Sequence, residues 1–431
     1  MKNPEDAKRI HHAVVYKKGR AAATLTRHAG VGVVFSYLPA YLSSGGPAIA
    51  STLPVLDVPV TLGHGSVPAF FAGLLPEGER LAKLRWAVKT TITDEFSLLL
   101  AAGLNPVGDV QIVPAGEPLA KLPPLLAVTK TMGGIRFADF AAVPGPVDES
   151  SLAGFQDKVT ASYVHDKDPS RAYILKFNDG SHARQVETEH LLLTKARKLG
   201  IPVAAARLVH DGAGQAALLV SRFDRSPAGP LAVEDGAQLL GLPPSRKYGV
   251  PTEAVAAAIV APCPARLLAA RNVFLQFLFG WLTGNGNLHA KNISVVQHAG
   301  GEWFVAPAYD LQCTLAAEIE QGLAAGVPGG IVTELTDGDP SRDPGMALPL
   351  GGSAGSRTAL ARNDWLRFGR TLHLPERLSA KCIDKALAAS ALTPAELPFG
   401  REVSAAVVRV LDTRRAAMAA QPRHNGVLLT N

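Results

Sequence analysis

The sequence predicts an α+β fold of two lobes, β-rich toward the N-terminus and mainly helical toward the C-terminus. Three observations carry this. In "AAATLTRHAGVGVVFSYL", small, polar and β-branched residues alternate as they do in strands. "AYILKFND" reads as a strand, and "AARLVHDGAGQAALLVSRFDR" as two strands joined by an Asp-Gly turn. Beyond about residue 226, apolar residues recur mostly at helical spacing.

The 431 residues suffice for two or three domains with a sizeable core. Hydrophobic residues make up 47% and charged residues 19%, which excludes global disorder. No apolar run approaches the roughly 20 residues of a membrane span, and "MKNPEDAKRIHHAVVYKKGR" lacks the apolar core of a signal peptide. A cytoplasmic protein with no membrane partner is the expectation. Cys263, Cys313 and Cys382 lie far apart, which argues against a disulfide framework or a zinc ribbon. The net charge of +6 permits contact with nucleic acid, but no dense Lys/Arg run appears.

Taken in order, residues 1–125 form an N-terminal subdomain. "PAFFAGLLPEGERLAKLRWAVK" predicts one or two helices. "TDEFSLLLAAGLNPVGDVQIV" predicts a helix capped by Asp94 and closed by Gly103, a turn, then a strand. The turn-rich 126–145 marks a boundary, and residues 126–225 form a second segment. There "SSLAGFQDKVTASYV" reads as a tight turn and a strand. "VETEHLLLTKARKLGI" reads as a helix stopped by Gly200 and Pro202. Residues 226–431 are the helical lobe. "RLLAARNVFLQFLFGWLTG" is a helix buried on most sides, and "EWFVAPAYDLQCT" a strand and turn. "RNDWLRFGRTL", "LSAKCIDKALAASAL" and "REVSAAVVRVLDTRRAAMAA" are amphipathic helices.

The chemistry gathers in a few places. Lys176 sits in an apolar strand. Asn292 and Asp310 carry oxygen ligands of the kind magnesium prefers. "SLAGFQDK" offers a small-residue turn with backbone amides for phosphates. Together they are the parts phosphoryl transfer requires, in the right order. Taken singly, each has a plainer reading: an edge-strand lysine, a turn Asn, a capping Asp. Glu189 is either a partner for Lys176 or part of a solvated helix face. The pair His11 and His12 has no spaced partners and reads as a surface feature.

Nearly the whole chain resembles the HipA-type serine/threonine kinases of bacterial toxin–antitoxin modules. The resemblance rests on "FFAGLLPEGER", "LLLAAGLNPVGDVQI", "SLAGFQDK", "YILKF", "ETEHLLLTKARKLGIPV", "SRFDR", "VEDGAQLLGLPPSRKYG", "GNGNLHAKNISV", "APAYDL" and "MALPLGG". It implies a two-lobed, protein-kinase-like fold that uses ATP and Mg2+. Ala153, Gly154, Phe155, Gln156, Asp157 and Lys158 would cover the phosphates, and Ser151 would be the autophosphorylated serine. Lys176 would be the ATP lysine. Ser221, Arg222 and Phe223 would form the hinge beside the adenine. Asn292 and Asp310 would hold the metal; His289 and Lys291 would be catalytic-loop residues and, with Asn287 and Tyr309, part of the same nucleotide site. Glu234 and Asp235 match a family motif whose role the sequence leaves open.

The main departure from the family pattern is at residue 287; Ser221, where family members often have Glu, is a second, and it implies an adenine contact made by backbone. Asn287 stands where that pattern has Asp, five residues before Asn292 and 23 before Asp310, so the alignment has not slipped. An amide accepts a proton far less readily than a carboxylate. The departure implies an inactivating Asp-to-Asn change in an otherwise intact site, deliberate rather than drifted. The alternative is a natural pseudokinase acting as an antitoxin-bound co-repressor. The resemblance further implies an aminoacyl-tRNA synthetase as substrate, with translation and growth arrested, and a HipB-type helix-turn-helix antitoxin that brings the pair to operator DNA. A small-molecule kinase is a third reading, disfavoured by "FFAGLLPEGER".

Overall fold

The computed structural model describes residues 3–63, 65–103, 105–119, 126–128, 132–137, 158–163, 172–178, 184–324, 345–352, 355, 357–358 and 360–419. The fold is α+β. The chain forms two compact units, one of Met1–His190, Ala204–Lys247 and Ile293–Pro307, the other of Leu191–Val203, Tyr248–Asn292 and Ala308–Asn431.

The first unit begins with a five-stranded antiparallel sheet. Its strands are β1 (His12–Lys17), β2 (Arg20–His28), β3 (Gly32–Tyr37), β4 (Val60–Leu62) and β5 (Val110–Pro114), in the order β4-β3-β2-β1-β5. The side-chain period of two puts Ala13 and Val15, Leu25, and Val33 and Phe35 on a buried face. Against them pack α1 (Pro39–Leu42), α2 (Ala69–Ala72), α3 (Gly78–Val88) and α4 (Glu95–Ala102), which add Tyr41, Phe71, Leu84 and Phe96 to one core. Asp94 caps α4 as expected, accepting from the Ser97 N–H at 3.3 Å. "PAFFAGLLPEGERLAKLRWAVK" resolves into two helices rather than one, because Pro76 and the positive φ of Gly78 (58°) interrupt it.

A second sheet holds β6 (Leu126–Val128), β7 (Lys158–Tyr163), β8 (Ala172–Phe177), β9 (Ala206–His210) and β10 (Ala216–Ser221), in the order β6-β7-β8-β10-β9. β9 and β10 are the expected Asp-Gly hairpin, with Asp211 at its turn. The helix α5 (Gln185–Ala196) follows β8 and ends through a short 3-10 turn at Gly200, whose φ is 64°. A two-residue ladder joins β11 (Arg225–Ser226) to β12 (Gly229–Pro230). A third sheet pairs β13 (Val233–Asp235), β14 (Ser294–Gln297) and β15 (Trp303–Val305) antiparallel, and α6 (Gly236–Leu239) leaves it.

The described helices of the second unit are the end of α5 and α7 (Thr252–Val260), α8 (Arg266–Leu282), α9 (Thr314–Ala324), α10 (Arg362–Thr371), α11 (Glu376–Ala389) and α12 (Arg401–Ala419). Thirteen of the 17 residues of α8 are buried, so the helix is the axis of this unit. Phe274 stacks on Phe368, and Trp281 packs on Trp365. Arg414 of α12 donates to the Trp281 carbonyl at 2.7 Å while its guanidinium lies over the indole. No helix among the described residues is long and apolar enough to cross a membrane.

Candidate active site

In the first unit, β8, the middle strand of its sheet, carries Lys176 just before its last residue and α5 carries Glu189 one turn past its start. Lys176 Nζ lies 2.7 Å from both carboxylate oxygens of Glu189, and both side chains are buried. This settles the choice left open by the sequence: Glu189 is an ion-pair partner and not a solvated residue. A buried charge is retained only where it is paired or used, so the pair fixes the ammonium in one place.

The segment from Ser221 to Phe223 leaves the end of β10. The Ser221 N–H donates to Ala205 O at 2.8 Å and the Arg222 N–H to Ala172 O at 3.0 Å. Arg222 is buried, and its guanidinium is committed to Asp224, Asn105 and Pro106. Only its backbone is therefore left to serve a ligand. Phe223 packs with Val107 and Leu231 against the core of the third sheet. Ser151 and the segment from Ala153 to Asp157 lie outside the described residues, and Lys158 opens β7 opposite Lys176.

In the second unit, the stretch Gly284–Asn292 follows α8 directly. Gly280, inside α8, leaves room for the loop: a Cβ there would meet Leu288 Cδ2 at 2.8 Å. Gly284 takes a φ of 74°, which only glycine adopts readily, and turns the chain. Asn285 Oδ1 then accepts from the Asn287 N–H at 3.0 Å. Asn292 Nδ2 donates to Asn287 O at 2.8 Å, which orients that amide. Asn287 Oδ1 accepts from the Tyr248 hydroxyl at 2.8 Å, and Gln312 Oε1 stands 3.5 Å from Nδ2. His289 is buried beneath the Tyr248 ring, with centroids 4.9 Å apart. Lys291 is buried too, and its carbonyl accepts from the Tyr309 hydroxyl at 3.0 Å.

Asp310 is buried with a φ of 55°, a left-handed conformation uncommon outside glycine and tolerated by Asp. The chain before it is held by Ala308, whose N–H donates to Pro202 O at 3.0 Å. Among the described residues no three His, Cys, Asp or Glu gather to hold a metal. One carboxylate and one oriented amide, from Asp310 and Asn292, suit magnesium, which keeps its waters and takes most other ligands from phosphate.

Tyr248, Asn285 and Gln312 were not singled out from the sequence. Their link to position 287 is tertiary, and only the adjacency of Asn285 in "GNGN" gave a signal. Glu234 and Asp235 each hold neighbouring chain in place. Glu234 accepts from the Ser51 N–H at 2.9 Å and the Ser51 hydroxyl at 2.6 Å, while Asp235 forms a capping box with Gln238 at the start of α6. The exposed His12 accepts or donates at 2.7 Å to Thr26 Oγ1.

Comparison with known proteins follows this geometry. The HipA N-terminal domain matches residues 13–113, and the HipA-like C-terminal domain matches residues 150–392. The chain belongs to the HipA family. The serine/threonine-protein kinase toxin HipA of Shewanella oneidensis is 28% identical over 325 residues, which cover 68% of this chain and 72% of that protein. Y4dM of Sinorhizobium fredii is 28% identical over 271 residues, 58% of this chain, and the match spans 63% of the length of Y4dM. A solved complex of Shewanella oneidensis HipA, HipB and operator DNA contains a chain that superposes with a TM-score of 0.65 at 19% identity, covering 94% of this chain and 96% of that one. The two-lobed kinase-like fold of HipA is thus the fold of this chain.

Proposed function

We propose that this HipA-family chain is a toxin kinase whose site binds ATP and is disarmed at a single position. The observation that carries the reading is the buried Lys176–Glu189 pair, an arrangement that protein kinases use on ATP phosphates. The oriented Asn292 and the buried Asp310 support it. Magnesium, when bound by Asn292 and Asp310, would neutralise charge on the phosphates. Lys176 holds the phosphates, and the backbone of Ser221, Arg222 and Phe223 meets the adenine. Residues 153–158 would contact the phosphates and Ser151 would be the autophosphorylation site; Ser151 and residues 153–157 lie outside the described residues.

Transfer joins the acceptor hydroxyl oxygen to the γ-phosphorus and breaks the bond to the β-phosphate, releasing ADP. The hydroxyl proton needs an acceptor at residue 287. The Asn287 amide is a poor base, and loss of a general base typically costs about 10² to 10⁴ in rate. An Asp would fit the same frame: the Tyr248 hydroxyl donates to a carboxylate as well, and Gln312 can turn its amide to donate. The acceptor is a serine of an aminoacyl-tRNA synthetase, and a HipB-type antitoxin dimer holds the chain on operator DNA. A second reading, a co-repressor that binds nucleotide without transferring phosphate, is favoured by Asn287 itself.

Calorimetric titration with MgATP tests the binding half. The chain should bind, and Lys176→Met should abolish binding. A chain that does not bind MgATP would overturn the reading.

A further inference from the structure

We infer that the Asn105–Gly108 loop of the N-terminal subdomain is a positioning element of the nucleotide hinge. It would hold Ser221–Phe223 in the place from which they read the base. The inference rests on the ATP reading above and gives a role to Asn105–Gly108, to which that reading assigns none.

Two arginines flank Phe223 and converge on the same two acceptors. Asn105 Oδ1 accepts from Arg222 Nη1 at 3.1 Å and from Arg225 Nη2 at 3.0 Å. Pro106 O accepts from Arg222 Nη2 and Arg225 Nη2, both at 2.9 Å. Asp224 lies between the arginines. Its carboxylate takes Arg222 through two bonds, at 3.0 and 2.7 Å, and Arg225 at 2.6 Å. The loop answers with the Gly108 N–H, which donates to Asp224 Oδ2 at 2.9 Å, and the Gly108 carbonyl, which accepts from Arg225 at 2.9 Å. Val107 and Phe223 pack on the same core of Val233, Val296 and Ala306. The hinge is thus fixed from one side by its own sheet, through the Ser221 and Arg222 amides, and from the other by four consecutive loop residues.

A largely buried cluster of two cations and one anion is a costly means of joining a loop to a turn when apolar packing would serve. Forked guanidiniums give direction that apolar contacts lack. A displacement of under an ångström at the hinge would spoil hydrogen bonds to a base edge while leaving the triphosphate contacts alone.

Nucleobase discrimination is therefore the readout. MgATP and MgGTP are titrated into the parent chain and into Asn105→Ala, Asn105→Asp and Arg225→Lys. The parent should prefer ATP. Asn105→Ala and Arg225→Lys should each weaken ATP about tenfold, with GTP nearly unchanged. Asn105→Asp, which keeps an acceptor for both arginines, should retain the preference. Unchanged ATP preference in Asn105→Ala and Arg225→Lys, equal weakening of both nucleotides, or a parent that does not discriminate would overturn the inference while ATP binding stands. A parent that binds neither nucleotide would overturn the ATP reading, and this inference with it.

Discussion

Lys176 Nζ lies 2.7 Å from each carboxylate oxygen of Glu189, with both side chains buried. Removing one partner strands the other charge in the interior. Lys176→Met should therefore destabilise the chain by about 3–5 kcal/mol. Lys176→Met combined with Glu189→Leu should recover much of that loss, because no charge is left unpaired. Denaturant unfolding of both singles and the double at neutral pH measures the coupling, and additive losses would refute it.

Asp224 makes acid stability predictable. Burial raises its carboxyl, but Arg222 and Arg225 outweigh that and hold it at about 2. A depressed folded value gives stability that is present above the unfolded value near 4 and lost as pH falls toward 2. Its size is about 2 kcal/mol. Asp224→Asn should flatten the stability profile between pH 4 and pH 2 and lower stability at neutral pH. Parallel profiles for the two chains would contradict this.

Glu234 predicts the opposite slope. Burial pushes its carboxyl up, and the Ser51 hydroxyl and N–H pull it partly back. A raised folded value gives stability that is full below the unfolded value and declines as pH rises through the folded one. Ser51→Ala removes one of the bonds that favour the ionised form. Its cost should be about 1–2 kcal/mol at pH 7 and smaller near pH 4. Urea melts at the two pH values decide it; an equal cost at both would count against the assignment.

Gly280 links the buried helix to the loop. In Gly280→Ala the new methyl would press on Leu288, 2.8 Å away, in the stretch that carries residues 287 and 289. Overpacking of this kind costs about 1–3 kcal/mol. Because Leu288 is the group that must move, MgATP affinity should fall together with thermal stability. A variant that is less stable but binds MgATP unchanged would separate the loop from the site.

Much of this was legible in the sequence, for identifiable reasons. The long strands and helices follow from period, and the Asp94 cap and the β9–β10 turn from local residue chemistry. The ordered motifs carried the family. The first strand, His12–Lys17, and the strands β13 and β14 of the third sheet were not foreseen, whereas β15 lies in the expected strand of "EWFVAPAYDLQCT". The six residues of β1 went unmarked in a basic N-terminal stretch, and β13 and β14 have three and four residues, too few to display a period. Within the site, the Lys176–Glu189 pair was left open because both of its readings fit one helix face. Tyr248 on Asn287 and Asn105 on Arg222 join residues 39 and 117 positions apart, and no local pattern announces such pairs.

The central claim is that residue 287 alone withholds the proton acceptor from an otherwise complete site. The most direct measurement is transfer of labelled γ-phosphate to protein by this chain and by Asn287→Asp, with growth followed in parallel. The account predicts that both bind MgATP, and that only the Asp variant labels protein and arrests growth. Transfer by this chain at a rate comparable with the variant, or no transfer by either despite equal binding, would contradict it.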